Sequence, residues 1–183
     1  MKKRLIETLE LQIAVPDPGY GVALENMLAE WGATPYTQLS VILVHLRFLA
    51  QVHQVHHWTA KGDTFYGDHL LFERLYNAAS GEVDSIAEKS IGLGGVDNVN
   101  LPLQLKQVSQ LAQSYGMAST IPQPSELARR SLIVEVGFLR CVAHCVESLK
   151  EQCLLTRGLD NLLAGIEDVH EGHVYLLKQR SCG

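Results

Sequence analysis

Four long stretches of this chain return an apolar residue every three or four positions, and none shows the period of two that a half-buried strand requires. The first runs from Thr37, a candidate N-cap, to about Trp58, with Leu39, Ile42, Leu43, Leu46, Leu49 and Ala50 ahead of His53 and His57. The second runs from Asp68 to about Leu93, where Gly94-Gly95 stops it; Leu71, Leu75, Ala78, Ala79, Ile86 and Ile91 supply its expected buried face. The third starts after Pro122 and Pro124, with Ser125 as N-cap, and continues to about Leu154. Gly158 is expected to break the chain before the fourth, from Leu159 to Lys178. Amphipathic helices of this length bury their apolar stripes on one another, so the expected fold is all-α, a four-helix bundle. Residues 96–122 form a long connection with a short helix near Leu103 to Tyr115, which makes it a crossover between helices two and three. Upstream, Pro16-Asp17-Pro18-Gly19 is a turn, and Tyr20 to Trp31 has helical spacing. The expected organisation is an N-terminal extension over 1–36 with a short helix, followed by a single bundle domain over 37–183.

With 183 residues, 46% of them hydrophobic and 19% charged, the chain suits one folded domain rather than a disordered tail. A net charge of −5 argues against DNA as a partner, because phosphates would be repelled. Lys2, Lys3 and Arg4 are only a minimal basic tail, and Glu7, Glu10 and Gln12 deny the next segment the apolar core of a signal peptide. The longest apolar run, Leu39 to Val52, is too short and too polar to span a bilayer. Four cysteines are too sparse for a disulfide scaffold, so a cytoplasmic protein with reduced thiols is expected. Cys141 and Cys145 share a helical face and read as small buried hydrophobes, with Cys182 exposed at the tail.

The second helix carries the chemistry. His69 and Glu73 are four residues apart, as are Asp84 and Glu88, and all four side chains fall within an arc of roughly 100°. One acidic pair of this kind is an ordinary solvated face. Two on one face, next to histidines of the preceding helix, point to metal, and imidazole with carboxylate suits iron, with zinc as a possible substitute. Glu73 and Asp84 are separated by roughly 16 Å along the helix axis, so one chain cannot close a single site from both pairs. An antiparallel copy of the same helix can. A two-fold axis near Ala78 and Ala79, with Ser80 and Gly81 allowing close approach, sets His69 and Glu73 opposite Asp84 and Glu88 of a second subunit. His57, brought back by the turn, joins the His69 end. The candidate catalytic and metal-binding set is therefore His57, His69, Glu73, Asp84 and Glu88.

These residues resemble the Dps family of mini-ferritins. The resemblance rests on His57-Trp58, Lys61-Gly62, Phe65, His69, Phe72-Glu73, Tyr76, Asp84, Ala87-Glu88 and Leu93-Gly94-Gly95, and more weakly on Gly158, Leu162-Leu163, Ile166, Glu171, His173 and Leu176-Leu177. It implies a ferritin-like bundle and a ferroxidase that oxidises Fe(II) with peroxide or oxygen at a di-iron site shared by two subunits. It further implies a homo-oligomer, a hollow dodecamer built from two-fold dimers, that stores ferric iron and protects against oxidative damage. Trp58, beside His57, is either a local electron donor or a packing residue. Arg157 stands where the family's acidic pore residues would be, which runs against cation attraction there.

Other residues keep alternatives open. Glu167 and His170 have the spacing of ferritin-like di-iron sites inside one bundle, with Glu135 or Glu147 as the acid from the third helix. The second helix supplies no matching pair, so an intrachain oxidoreductase is the alternative reading, and a catalytically silent shell protein is another. His45, His53, His56, His144 and His173 are expected to be structural.

Overall fold

The computed structural model describes residues 20–32, 34–117 and 123–181. Six α-helices account for most of them: α1 (Tyr20–Glu30), α2 (Thr37–Thr59), α3 (Phe65–Gly94), α4 (Leu101–Ser114), α5 (Leu127–Glu151) and α6 (Arg157–Ser181). Short 3₁₀ turns at Val96–Val99 and Pro124–Glu126 precede α4 and α5, and no strand occurs among the described residues. The basic segment Lys2 to Arg4, the turn at Pro16 and the tail cysteine Cys182 lie outside the described residues.

Helices α2, α3, α5 and α6 form the bundle, and cross-helix pairs fix its directions. Gln38 bonds Ser148 near one end of the α2–α5 pair and His53 bonds Glu135 further along, so the two run antiparallel. Asp68 with Arg180 and Glu82 with His170 give the same sense for α3 and α6. Helix α4 is the crossover between α3 and α5 and lies across α2. This cover explains why α2 is buried on almost every side from Thr37 to Leu46.

The extra helix α1 shares that core. Leu24, Met27 and Trp31 are buried in the same cluster as Leu39, Ile42 and Leu46. The Trp31 indole donates to Gln107 Oε1 of α4 at 2.9 Å, and Gln107 Nε2 donates to the Met27 carbonyl at 2.9 Å. Buried polar atoms of α1 and α4 thus satisfy each other.

Several local expectations are corrected. Thr37 is the first residue of α2; Tyr36 caps it in the left-handed region without a side-chain bond. Ser125 lies in the 3₁₀ turn, and α5 likewise starts without a side-chain cap. The chain turns between α5 and α6 at Cys153, which takes φ 56°, while Gly158 sits inside the first turn of α6. The cap there is Thr156, whose hydroxyl accepts from the Leu159 amide at 3.2 Å. On α3, Leu75, Ala79 and Ile86 are buried as expected and Phe72 joins them, whereas Ile91 is exposed.

Gly94 is required by contact. A Cβ there would sit 2.5 Å from the Pro35 carbonyl oxygen and against the Asn98 amide, whose nitrogen donates to that same carbonyl at 2.8 Å. Gly165, in the middle of α6, has nothing within 4 Å of an added Cβ. Gly94→Ala should therefore destabilise the protein by about 1–3 kcal/mol through overpacking. Gly165→Ala should stabilise it by about 0.5–1 kcal/mol through helix propensity. Denaturant titration of both variants checks the pair of signs.

Candidate metal centres

The turn between α2 and α3 brings the two helices together at their histidines. Gly62, at φ 85°, makes the reversal, and the bidentate pair of Asp68 with Arg180 holds the start of α3 against the end of α6. Here His57 and His69 stack face to face, with ring centroids 3.7 Å apart. Their bonding is reciprocal. His57 Nδ1 lies 2.9 Å from the His69 carbonyl oxygen, and His69 Nδ1 lies 3.2 Å from the His57 carbonyl oxygen. A carbonyl only accepts, so each Nδ1 carries a proton, and Nε2 is the ring nitrogen not committed to these backbone bonds. Two imidazoles held in the tautomer that ligates metal through Nε2 is the arrangement of a metal centre's supporting hydrogen bonds. Tyr76 and Phe65 wall the pair, edge-on to His57 and tilted against His69.

Glu73 lies one turn beyond His69 and is half-buried, like both histidines. Asp84 and Glu88 are exposed on the same face further along α3. Because α3 is unbroken from Phe65 to Gly94, the separation of roughly 16 Å between Glu73 and Asp84 stands. His57 and His69 are brought together; Glu73 follows one turn along α3 without its ligand atoms gathering with theirs, and Asp84 and Glu88 are not brought to them within the chain. Ala79 is fully buried in its own bundle, so it cannot line a contact between copies; Ser80 and Gly81 are the exposed small residues there. Trp58 is 66% exposed, which removes the reading of a packed helix end within this chain.

A second polar cluster lies inside the bundle. Glu135 of α5 is completely buried and receives three imidazoles: His53 Nε2 at 2.8 Å, His170 Nδ1 at 2.5 Å and His173 Nδ1 at 3.3 Å. His170 Nε2 reaches Glu82 of α3 at 2.8 Å, so four helices contribute. Behind it, Ser131 Oγ bonds both His53 and His56. Ligand-capable atoms of Glu135, His170 and His173 lie within 4.8 Å of one another, the one such group among the described residues. Glu167 is half-buried and stays outside it, and Glu147 pairs with Lys150 at the surface.

The electrostatics divide the histidines by environment. Burial disfavours the charged form of His170, but Glu135 and Glu82 on its two nitrogens override this and raise its pKa to about 9. Burial would push the Glu135 carboxyl up; the charge of His170 and the imidazole bonds hold it well below the usual carboxylate range. His45, whose Nδ1 donates to the Val41 carbonyl, is lowered by burial to about 4. His56 is lowered to about 3 by burial and by neighbouring His53 and Arg130.

In the sequence, spacing pairs Glu135 with His170 only as an alternative, and nothing in it singles out Glu82 or gives His173 a role in the site. Their signal was position. Glu135 falls on the apolar stripe of Ala128, Leu132, Phe138, Leu139 and Val142, and His170 on that of Leu163, Ile166, Val174 and Leu177. A charged residue in register with a core stripe has to find partners across the bundle.

These shifts set opposite slopes for stability against pH. His170 gains a partner on folding, so its contribution is complete below pH 6.5 and is lost as pH rises through about 9. His45 and His56 fold neutral, so their contributions are present above pH 6.5 and are lost as pH falls toward 4 and 3. The melting temperature of chelator-treated protein should peak near pH 6.5 and fall on both sides, and His170→Gln should flatten the alkaline limb. A melting temperature unchanged from pH 6.5 to 9 in the parent protein would contradict the imidazolium.

No protein-family model matches the sequence. The chain is 35% identical over 131 residues to the nutrient stress-induced DNA-binding protein of Synechococcus sp., spanning 70% of this chain and 69% of that protein. It is 28% identical over 122 residues to the DNA protection during starvation protein of Brevibacillus brevis, spanning 67% and 77% of the two chains. Among solved structures, it superposes on DpsC from Streptomyces coelicolor with a TM-score of 0.67 at 22% identity, covering 79% of this chain and 82% of that one. Dps from Thermosynechococcus elongatus gives 0.66 at 18% identity, covering 88% and 93%.

Proposed function

Since this chain belongs to the Dps family of mini-ferritins and has its ferritin-like fold, we propose that it is a ferroxidase whose iron site is shared between two subunits. The observation that carries this reading is the reciprocal bonding of His57 and His69, which commits both Nδ1 atoms to the backbone and leaves both Nε2 atoms for a metal. Glu73 adds a carboxylate one turn away. Asp84 and Glu88 of a second, antiparallel copy complete the set. The residues 69 and 88, and likewise 73 and 84, are symmetric about the same point of α3, so one two-fold axis serves both pairs and makes two identical sites.

Iron is substrate here rather than a resident group. Imidazole nitrogen suits Fe(II), and carboxylate oxygen suits the harder Fe(III) product, so a mixed set favours turnover over retention. With peroxide as oxidant, two Fe(II) each lose one electron; the O–O bond accepts both electrons and, with two protons, becomes two waters. Two-electron consumption at paired irons avoids releasing hydroxyl radical. The chain's own part is to hold the imidazole tautomers, to place the carboxylates, and to limit access with Phe65 and Tyr76. The ferric product would be stored in a closed homo-oligomer, a dodecamer by family resemblance.

The names of the relatives attach DNA protection or DNA binding to those proteins. For this chain a net charge of −5 opposes contact with phosphates, so protection would run through removal of iron and peroxide. No helix among the described residues is long and apolar enough to cross a membrane.

Replacing His69 and Glu73 together by Ala should lower the rate of Fe(II) oxidation by peroxide at least about tenfold, in line with loss of metal ligands. The mass in solution should be unchanged by light scattering. Oxidation at the parental rate would sink the assignment, and a monomeric parent protein would remove the shared site.

A further inference from the structure

We infer that each chain holds a second, internal metal site at Glu135, His170 and His173, with Glu82 and His53 beside it, suited to a divalent transition metal such as Zn(II) or Fe(II). The site needs no partner subunit, which separates it from the shared centre at His57 and His69. Three observations carry it. The ligand-capable atoms of one carboxylate and two imidazoles already lie within 4.8 Å of one another. Two imidazoles and one carboxylate form a donor set that serves both zinc and non-haem iron. All three side chains are buried, Glu135 and His170 completely, so they do not form a solvated surface cluster.

The remaining neighbours fit a supporting shell. Glu82, partly exposed at 16%, bonds His170 from α3, and His53 bonds Glu135 from α2 while its other nitrogen is held by Ser131. A ligating carboxylate held by a further hydrogen bond, and a ligating imidazole held by a carboxylate, is how metal ligands are oriented. The alternative is a purely structural ion-pair network. Such networks give little net stability, because an apolar core of the same volume serves as well or better. Here the network interrupts two apolar clusters: His170 and His173 stand between Ile166 of one and Val174 of the other. A core that accepts five ionisable side chains from four helices, gathered about one carboxylate, is organised for a ligand. On binding, the ion takes the place of the proton that His170 shares with Glu135.

Because the site is enclosed, it should load during folding and release slowly. The test uses full-length protein carrying His57→Ala, His69→Ala and Glu73→Ala, so that the shared centre is absent and its fate does not enter. This variant is produced in cobalt-supplemented medium, washed with chelator, and assayed for Co(II) by elemental analysis and visible absorption. The expected result is one chelator-resistant Co(II) per chain with a ligand-field spectrum of nitrogen and oxygen donors. Adding Glu135→Gln, or separately His173→Gln, should remove it, and the second substitution keeps the test sound if the first does not fold. Absence of retained Co(II) in the starting variant would overturn the inference, as would equal retention in both folded core variants.

Discussion

Helix α3 is one unbroken rod from Phe65 to Gly94, and its rigidity is the constraint on which the reading of this molecule turns. A helix rises about 1.5 Å per residue, so polar groups eleven positions apart on one face are fixed too far apart to meet. Whatever His69, Glu73, Asp84 and Glu88 do together, they do it with a second copy. The inner side of the same helix has the opposite task. Phe72, Leu75, Ala79 and Ile86 bury against the bundle, and Glu82, between them, reaches inward to His170. One helix therefore serves both proposed centres: the outer would need a second copy, whereas Glu82 joins a cluster within the bundle itself.

The two centres also differ in how they treat histidine. At the His57–His69 pair, backbone carbonyls accept from Nδ1 and leave Nε2 as the nitrogen not committed to the chain. At the inner one, His170 lies between two carboxylates and is charged at neutral pH. At His170 partner chemistry overrides burial, because carboxylates on both nitrogens favour the charged ring. His45 and His56 show the limit with burial dominant, where the ring simply stays neutral.

Much of this was legible in the sequence. The helices, the crossover and the extra N-terminal helix follow from apolar period and from glycine and proline punctuation, because burial on a helix has a fixed spacing. The pairing of His57 with His69 is legible because the two residues flank one tight turn. Less legible were features that depend on several helices at once. Nothing local indicates that α1 would dock through Trp31 on Gln107, more than seventy residues away. Cys153 turns the chain in a left-handed conformation that glycine would ordinarily supply, while the nearby Gly158 lies within the helix. The inner cluster joins Glu135 to His53 and His170, which share no sequence neighbourhood, and only the misfit of a charge within an apolar stripe marked it.

The central claim is that iron binds between copies of α3. Anomalous scattering at the iron edge, from crystals grown with Fe(II) under exclusion of oxygen, addresses it directly. A peak is expected at each two-fold-related site, within ligand distance of His57 and His69 Nε2, Glu73, and Asp84 and Glu88 of a second copy. Iron found only beside Glu135 and His170, or none beside His57 and His69 in an assembled protein, would contradict it.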